Sequence, residues 1–263
     1  MNNTRLRKTL SILNLLGFLG MVFVNYLAVA LPLNNKTTGE LSDQYPNLFV
    51  PSGFTFSIWG VIYLLLAIFI VYQLVYAFRK NPQNISFLEK IGILFFLSSL
   101  ANLSWIFAWH FELIPLSLLL MLILLGSLMA IYLKLQIGIS DSSRSEKYLV
   151  HLPFSVYLGW ITIATIANTT ALLVDLGWNR FGLSEQFWTV AVIIIGIAIS
   201  LTILLYRKDI FYCLVVDWAL FGILIKRLAA DAVPVQSITT VVILGLTVIS
   251  LAIIVQIIRR RVY

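Results

Sequence analysis

Between Leu10 and Ile258 the chain returns repeatedly to uncharged apolar runs about as long as a bilayer core is thick, each closed by a short polar or basic segment. A helix needs about 20 residues to cross that core. Inside it a backbone must satisfy its own hydrogen bonds, which confines repeated runs of this kind to helices. Composition adds weight, because only 11% of the 263 residues are charged and 60% are hydrophobic, with a mean hydropathy of +0.98. Soluble domains carry about 25% charged residues. The expected fold class is an all-α polytopic membrane protein, whose solvent is the lipid bilayer.

Eight spans are expected. The first, Leu10 to Leu31, follows Arg5, Arg7 and Lys8 and ends near Ala28-Val29-Ala30. That pattern is similar to a signal peptide with a small-residue cleavage site, but signal cores are only about 7–15 residues long, so an uncleaved span is expected. A polar first loop, 32–55, is long enough to fold over the mouth of a bundle. Further spans are read at Phe56–Phe78, Ile91–Phe111, Pro115–Lys134, Tyr148–Val174, Gln186–Tyr206, Ile210–Ile225 and Val235–Ile258. The seventh is short and carries Asp217.

Charge placement tests the count. With eight spans and a cytoplasmic N-terminus, 14 of the 18 basic residues fall on one side and only 4 (Lys36, Arg180, Lys226 and Arg227) on the other. Positive residues concentrate on the cytoplasmic side, so both termini are expected there, in a multi-pass protein of the cell membrane. Removing the seventh span would put Arg259, Arg260 and Arg261 outside. The net charge of +7 is therefore an orientation signal and not a nucleic-acid footprint. Cys213 is the single cysteine, and neither His110 nor His151 has a partner at metal-ligand spacing, so no disulfide and no metal site are expected. Both histidines fall near span ends, where solvation is the simple expectation.

Candidate binding residues come from aromatic stripes. Phe56, Trp59 and Tyr63 share one face of the second span. Asn102 and Trp105, with Trp109 a turn further, share a face of the third. Tyr157, Trp160, Ala164 and Asn168 do so on the fifth. One reading is an aromatic belt at headgroup level with asparagines as interhelical glue. The other is a cavity in which flat rings stack on indoles while amides orient a polar group. For Asp217 the choices are a proton or ion relay and a hydrogen bond to a neighbouring helix.

The same residues resemble a known family. Phe56-Ser-Ile-Trp59-Gly-Val-Ile-Tyr63, Asn102-Leu-Ser-Trp105 and Tyr157-Leu-Gly-Trp160-Ile-Thr-Ile-Ala164-Thr165-Ile-Ala-Asn168 are similar to the W-x-x-L-Y, N-x-x-W and P-Y-x-x-W-x-x-x-A-T-x-x-N elements of the translocator protein, or tryptophan-rich sensory protein, family (TspO/MBR). They occur in that family's order, on matching spans, over about residues 10–174. The resemblance implies a five-helix bundle enclosing a pocket for porphyrins, other tetrapyrroles and similar flat hydrophobic ligands. It assigns the ligand-facing indoles to Trp59 and Trp160, with Tyr63 and Trp105 alongside and Asn102 and Asn168 as polar contacts. The chain departs from the pattern at Val156, where the family has proline. It also departs after Asp175, where three further spans have no counterpart in a five-helix protein.

The expected organisation is thus a five-helix domain over 1–174 and a three-helix extension over 175–263. The expected function is a membrane sensory or binding protein for a flat hydrophobic molecule, with no required cofactor, no catalytic residue and room for a homodimer. The alternative is a secondary transporter of a small hydrophobic solute in which Asp217 couples to protons or ions. No nucleophile–base pair, carboxylate dyad or metal cluster argues for an enzyme.

Overall fold

The structure, a computed structural model, describes residues 3–31, 33–79, 86–229 and 235–259. Pro32, Lys80, Arg260 and Arg261, which entered the reading of the first loop and the charge balance, lie outside the described residues. Among those described there is no strand. The helices are α1 (Asn3–Ala30), α2 (Thr38–Asp43), α3 (Ile58–Ala77), α4 (Ser86–Ile91), α5 (Leu94–His110), α6 (Ile114–Leu135), α7 (Arg144–Glu146), α8 (Leu152–Asp175), α9 (Glu185–Arg207), α10 (Ile210–Leu228) and α11 (Gln236–Ile258). A π-turn at Lys147–His151 leads into α8. Several boundaries differ from the sequence reading, α1 for example starting at Asn3 and not Leu10, and two of the differences bear on the site. Phe56 lies in a 3-10 turn, Gly53–Ser57, ahead of α3. The third span is broken at Gly92, whose φ of +53° separates α4 from α5.

Among the described residues six helices (α1, α3, α6, α8, α9 and α11) are long and apolar enough to cross a membrane. α5, at 17 residues, is shorter, and α10 carries Asp217, Lys226 and Arg227. Both pack among the longer helices. The N-cap of α10, Asp209, accepts hydrogen bonds from Tyr132 and Ser155 at one end, while Lys226 in its last turn pairs with Asp43 of the first loop at the other. α10 packs against α8, α9 and α11, and Asp217 accepts a hydrogen bond from Ser250 of α11. Six candidate spans are thus joined by two further helices, α5 and α10, packed among them.

α1, α3, α8, α6 and α5 pack in closed order as a five-helix ring. α9, α10 and α11 pack on one another, and α10 lies against α8. Gly159 permits that approach, since a Cβ there would stand 3.1 Å from the Val215 side chain and 3.2 Å from the Tyr212 carbonyl oxygen. Outward faces such as Leu16, Leu19, Phe23, Leu64 and Leu119 are aliphatic or aromatic and exposed, as lipid contact requires.

The two ends of the ring differ inside. Toward the basic end, Phe69 of α3, Phe95 of α5 and Phe154 of α8 meet edge to face, with centroids 5.0–5.7 Å apart and no exposure. Such pairs contribute about 0.5–1.5 kcal/mol beyond burial of their area. They close this half of the interior. The opposite half, under the first loop, is lined by tryptophan.

Candidate functional site

The first loop is an ordered lid. Thr37 caps α2 by accepting a hydrogen bond from the Glu40 amide, and Glu40 in return accepts from the Thr37 amide at 2.7 Å. This capping box satisfies two donors that a helix start leaves open. The hydrogen bonds from Thr37 hold the Glu40 carboxyl below its ordinary value. The lid is tied to α5 through His110, whose ring nitrogens lie 3.0 Å from the Leu33 carbonyl oxygen and 3.2 Å from Thr38 Oγ1. Asn34 donates to the His110 carbonyl at 2.9 Å, and Lys36 pairs with Glu112 at 2.8 Å. His110 is therefore fully buried as a lid anchor, where solvation was expected from its place near a span end. Beside it Tyr45 packs on Trp109 with centroids 5.8 Å apart, and burial raises its phenol above the usual range.

The lid is also fastened to the last helices. Lys226 pairs with Asp43, Glu185 Oε1 accepts from the Leu48 amide at 2.9 Å, and the Ser52 amide donates to Gly222 O at 3.1 Å. Trp218 Nε1 donates to Thr55 O at 2.9 Å. Gly222 is needed there, because a Cβ would stand 2.1 Å from Thr55 Oγ1. The turn that carries Phe56 into α3 is thus set against α10.

Under the lid, the aromatic side chains of three helices converge. Trp59 lies 6.3 Å from Trp160 and 6.0 Å from Tyr157, both edge to face, and stacks on Tyr63 at 5.5 Å. Phe56 meets Trp160 edge to face at 5.9 Å, and Trp105 stacks on Trp109 at 5.9 Å. Phe56, Trp59, Trp105, Trp109, Trp160 and Asn168 line a chamber of about 40 Å³, room for roughly one water. On the outer side of Phe56 and Trp59 lies a groove of about 390 Å³, bounded by Asn25 and Val29 of α1, by Glu40 of the lid and by Tyr63. Phe56, Trp59 and Thr38 line both spaces. The two aromatic side chains are a partition one ring thick.

Polar atoms around the chamber fall into two groups. Trp105 Nε1 donates to Asn168 Oδ1 at 3.0 Å, Asn168 donates to Ser117 at 2.9 Å, and Trp109 Nε1 donates to Thr38 O at 3.3 Å. Deeper, Asn25 donates to Asn102 at 2.8 Å and Asn102 donates to the Tyr157 hydroxyl at 3.0 Å, linking α1, α5 and α8. These amides hold helices together. By contrast Trp160 Nε1 and the Tyr63 hydroxyl are buried with no partner. An unpaired donor at such depth costs about 1–3 kcal/mol, which a ligand acceptor would recover.

A model of the family described as TSPO-like protein matches residues 11–255. The chain belongs to the TSPO-like protein family. No curated protein and no solved structure matches it significantly. The family match runs on past Val174 through most of α11, so it takes in the three last helices that the motif resemblance left out.

Within this TSPO-like chain, Phe56, Trp59, Trp105, Trp160 and Asn168 meet at the chamber and Tyr63 faces the groove. Asn102 and Tyr157 sit one layer deeper, in the hydrogen-bond chain. Asp217 lies elsewhere, between α10 and α11, where its Oδ2 accepts from Ser250 at 2.9 Å and its Oδ1 is buried without a partner. It lines neither space. Sequence reasoning missed Thr38, Ser42 and Asn25. For Asn25 a signal existed, since an amide in an apolar first span must find a partner. For the lid residues none did. Among the described residues no group of acidic, histidine and cysteine side chains has the geometry to hold a metal.

Proposed function

We propose that this membrane protein is a receptor for a flat hydrophobic molecule of the porphyrin or tetrapyrrole class. In this reading the ligand body lies in the groove between α1 and α3, and its edge passes the Phe56–Trp59 partition to reach Trp160. The observation that carries it is the buried, partnerless Nε1 of Trp160, held among Phe56 and Trp59 directly behind a groove of about 390 Å³. Small-molecule sites typically measure about 300–1,000 Å³ and combine apolar walls with few polar groups. The 40 Å³ chamber alone is too small, so binding requires the partition to swing. Family membership supports a sensory or binding role in the membrane. The charge balance supports a cytoplasmic placement of both termini, with the lid on the far side.

Titration of purified protein with protoporphyrin, read by the porphyrin's own absorbance so that removing an indole does not remove the signal, tests this. Saturable binding to wild type and weaker binding to Trp160→Phe, which keeps the ring but deletes the donor, is the expected result. Identical titrations of wild type, Trp160→Phe and Trp59→Leu would overturn the site.

A second reading, transport coupled through Asp217, is favoured by one observation, its partnerless Oδ1. Solute uptake into liposomes that follows a pH gradient and is lost in Asp217→Asn would establish it. A pH-gradient response that persists in that variant would remove Asp217 from the mechanism.

A further inference from the structure

One cavity beneath the lid lies outside the five-helix ring. About 420 Å³ of space lies at the seam between the last turns of α8 and the first turns of α9, roofed by Pro46 and Asn47 of the lid. We infer that this seam is a second ligand site, separate from the aromatic chamber, for a single-chain amphiphile with an apolar body and one carboxylate head.

The body of the site is apolar. Leu173 and Val174 of α8 face Val192 of α9 across it, and Trp178 and Trp188 form its rim with centroids 5.1 Å apart. Trp188 Nε1 already donates to the Arg180 carbonyl at 2.9 Å, so the ring offers only its apolar surface to an occupant. Tryptophans at the end of a span belong at headgroup level, which places the rim where an amphiphile carries its head and the depth where it carries its chain.

The sign of the head follows from the charged groups at the rim. Glu185 is engaged: one oxygen accepts from the Leu48 amide and the other lies 3.9 Å from the Arg180 guanidinium. Arg180 is held more loosely: among the described residues its one ionic contact is to Glu185 at 3.9 Å, beyond hydrogen-bond length, and its side chain is about half exposed. A guanidinium with open donors beside an apolar slot matches a carboxylate, which it can bind with paired hydrogen bonds. A neutral or cationic head would leave those donors unused.

The test uses the full-length protein in a non-ionic detergent at mildly alkaline pH, with bromododecanoate as the probe. Bromine quenches tryptophan only on close approach, so occupancy reads as saturable loss of emission from Trp178 and Trp188. Wild type should saturate, Arg180→Gln should need a severalfold higher concentration, and bromododecanol should bind wild type as weakly as the carboxylate binds Arg180→Gln. The Trp178→Phe, Trp188→Phe double variant should lose the saturable component. Quenching that rises without saturation, that is equal for acid and alcohol, or that is unchanged in Arg180→Gln would overturn the site. Trp160→Phe tests the chamber separately, so failure of one reading does not decide the other.

Discussion

Lys226, in the last turn of α10, closes an ion pair with Asp43 of the lid helix across 183 residues of sequence. Both side chains are partly exposed, at 26% and 56%, and such pairs are worth at most about 1 kcal/mol. Lys226→Ala should therefore loosen the lid without unfolding the bundle. Hydrogen exchange at the α2 amides should speed up by no more than about fivefold, while amides in α5 and α8 stay unchanged. A larger effect would mean that the lid has fewer other fastenings than its contacts indicate.

Gly222→Ala acts at the same junction but more severely. The added methyl would stand 2.1 Å from Thr55 Oγ1, so the Gly53–Ser57 turn must shift. Overpacking of this kind costs about 1–3 kcal/mol. A lower melting temperature together with altered ligand binding is expected, because Phe56 rides on the turn. Unchanged binding would separate the turn from the site.

Asn102→Leu discriminates glue from ligand contact. It removes two interhelical hydrogen bonds, each worth about 0.6 kcal/mol in membranes. Thermal stability should fall modestly, and porphyrin binding should fall less than in Trp160→Phe. The reverse ranking would make the Asn102 amide a direct contact.

Asp209→Ala strikes the other end. The carboxylate caps α10 through the Phe211 and Tyr212 amides and accepts from the hydroxyls of Tyr132 and Ser155. Loss of a cap and of buried, charge-assisted bonds should cost about 2–4 kcal/mol. The melting temperature is the readout, and a wild-type value would show the cluster to be dispensable.

Acidification should release the lid cap. The Glu40 carboxyl is held below its ordinary value of 4.5 in the folded state, so its contribution is complete above that value and fades as pH falls through the folded one. Exchange of the Thr37–Leu41 amides should accelerate as pH falls below the ordinary value of 4.5 in wild type and be pH-independent, beyond intrinsic chemistry, in Glu40→Gln. Equal acid acceleration in both would place the sensitivity elsewhere.

The architecture was legible in the sequence because hydropathy and charge are statistical properties of long segments. A helix does stand where the charge balance asked for a seventh span, although α10, with Asp217, Lys226 and Arg227, is not among the six helices long and apolar enough to cross. Trp59, Trp105 and Trp160 were legible because helical spacing puts each on one face, and only an interior accommodates such faces on several helices. What could not be read was how the asparagines spend their amides, since partners such as Asn25 and Ser117 are far away in sequence. Nor could the lid anchors be read. His110 looked like an interfacial residue because the loop that buries it has no periodicity to announce that it folds back.

The three phenylalanines that fill the basic half of the ring have a consequence for traffic. A molecule that passes Trp59 to reach Trp160 has ahead of it a layer of three fully buried rings. That layer favours the receptor reading proposed above over passage to the opposite face.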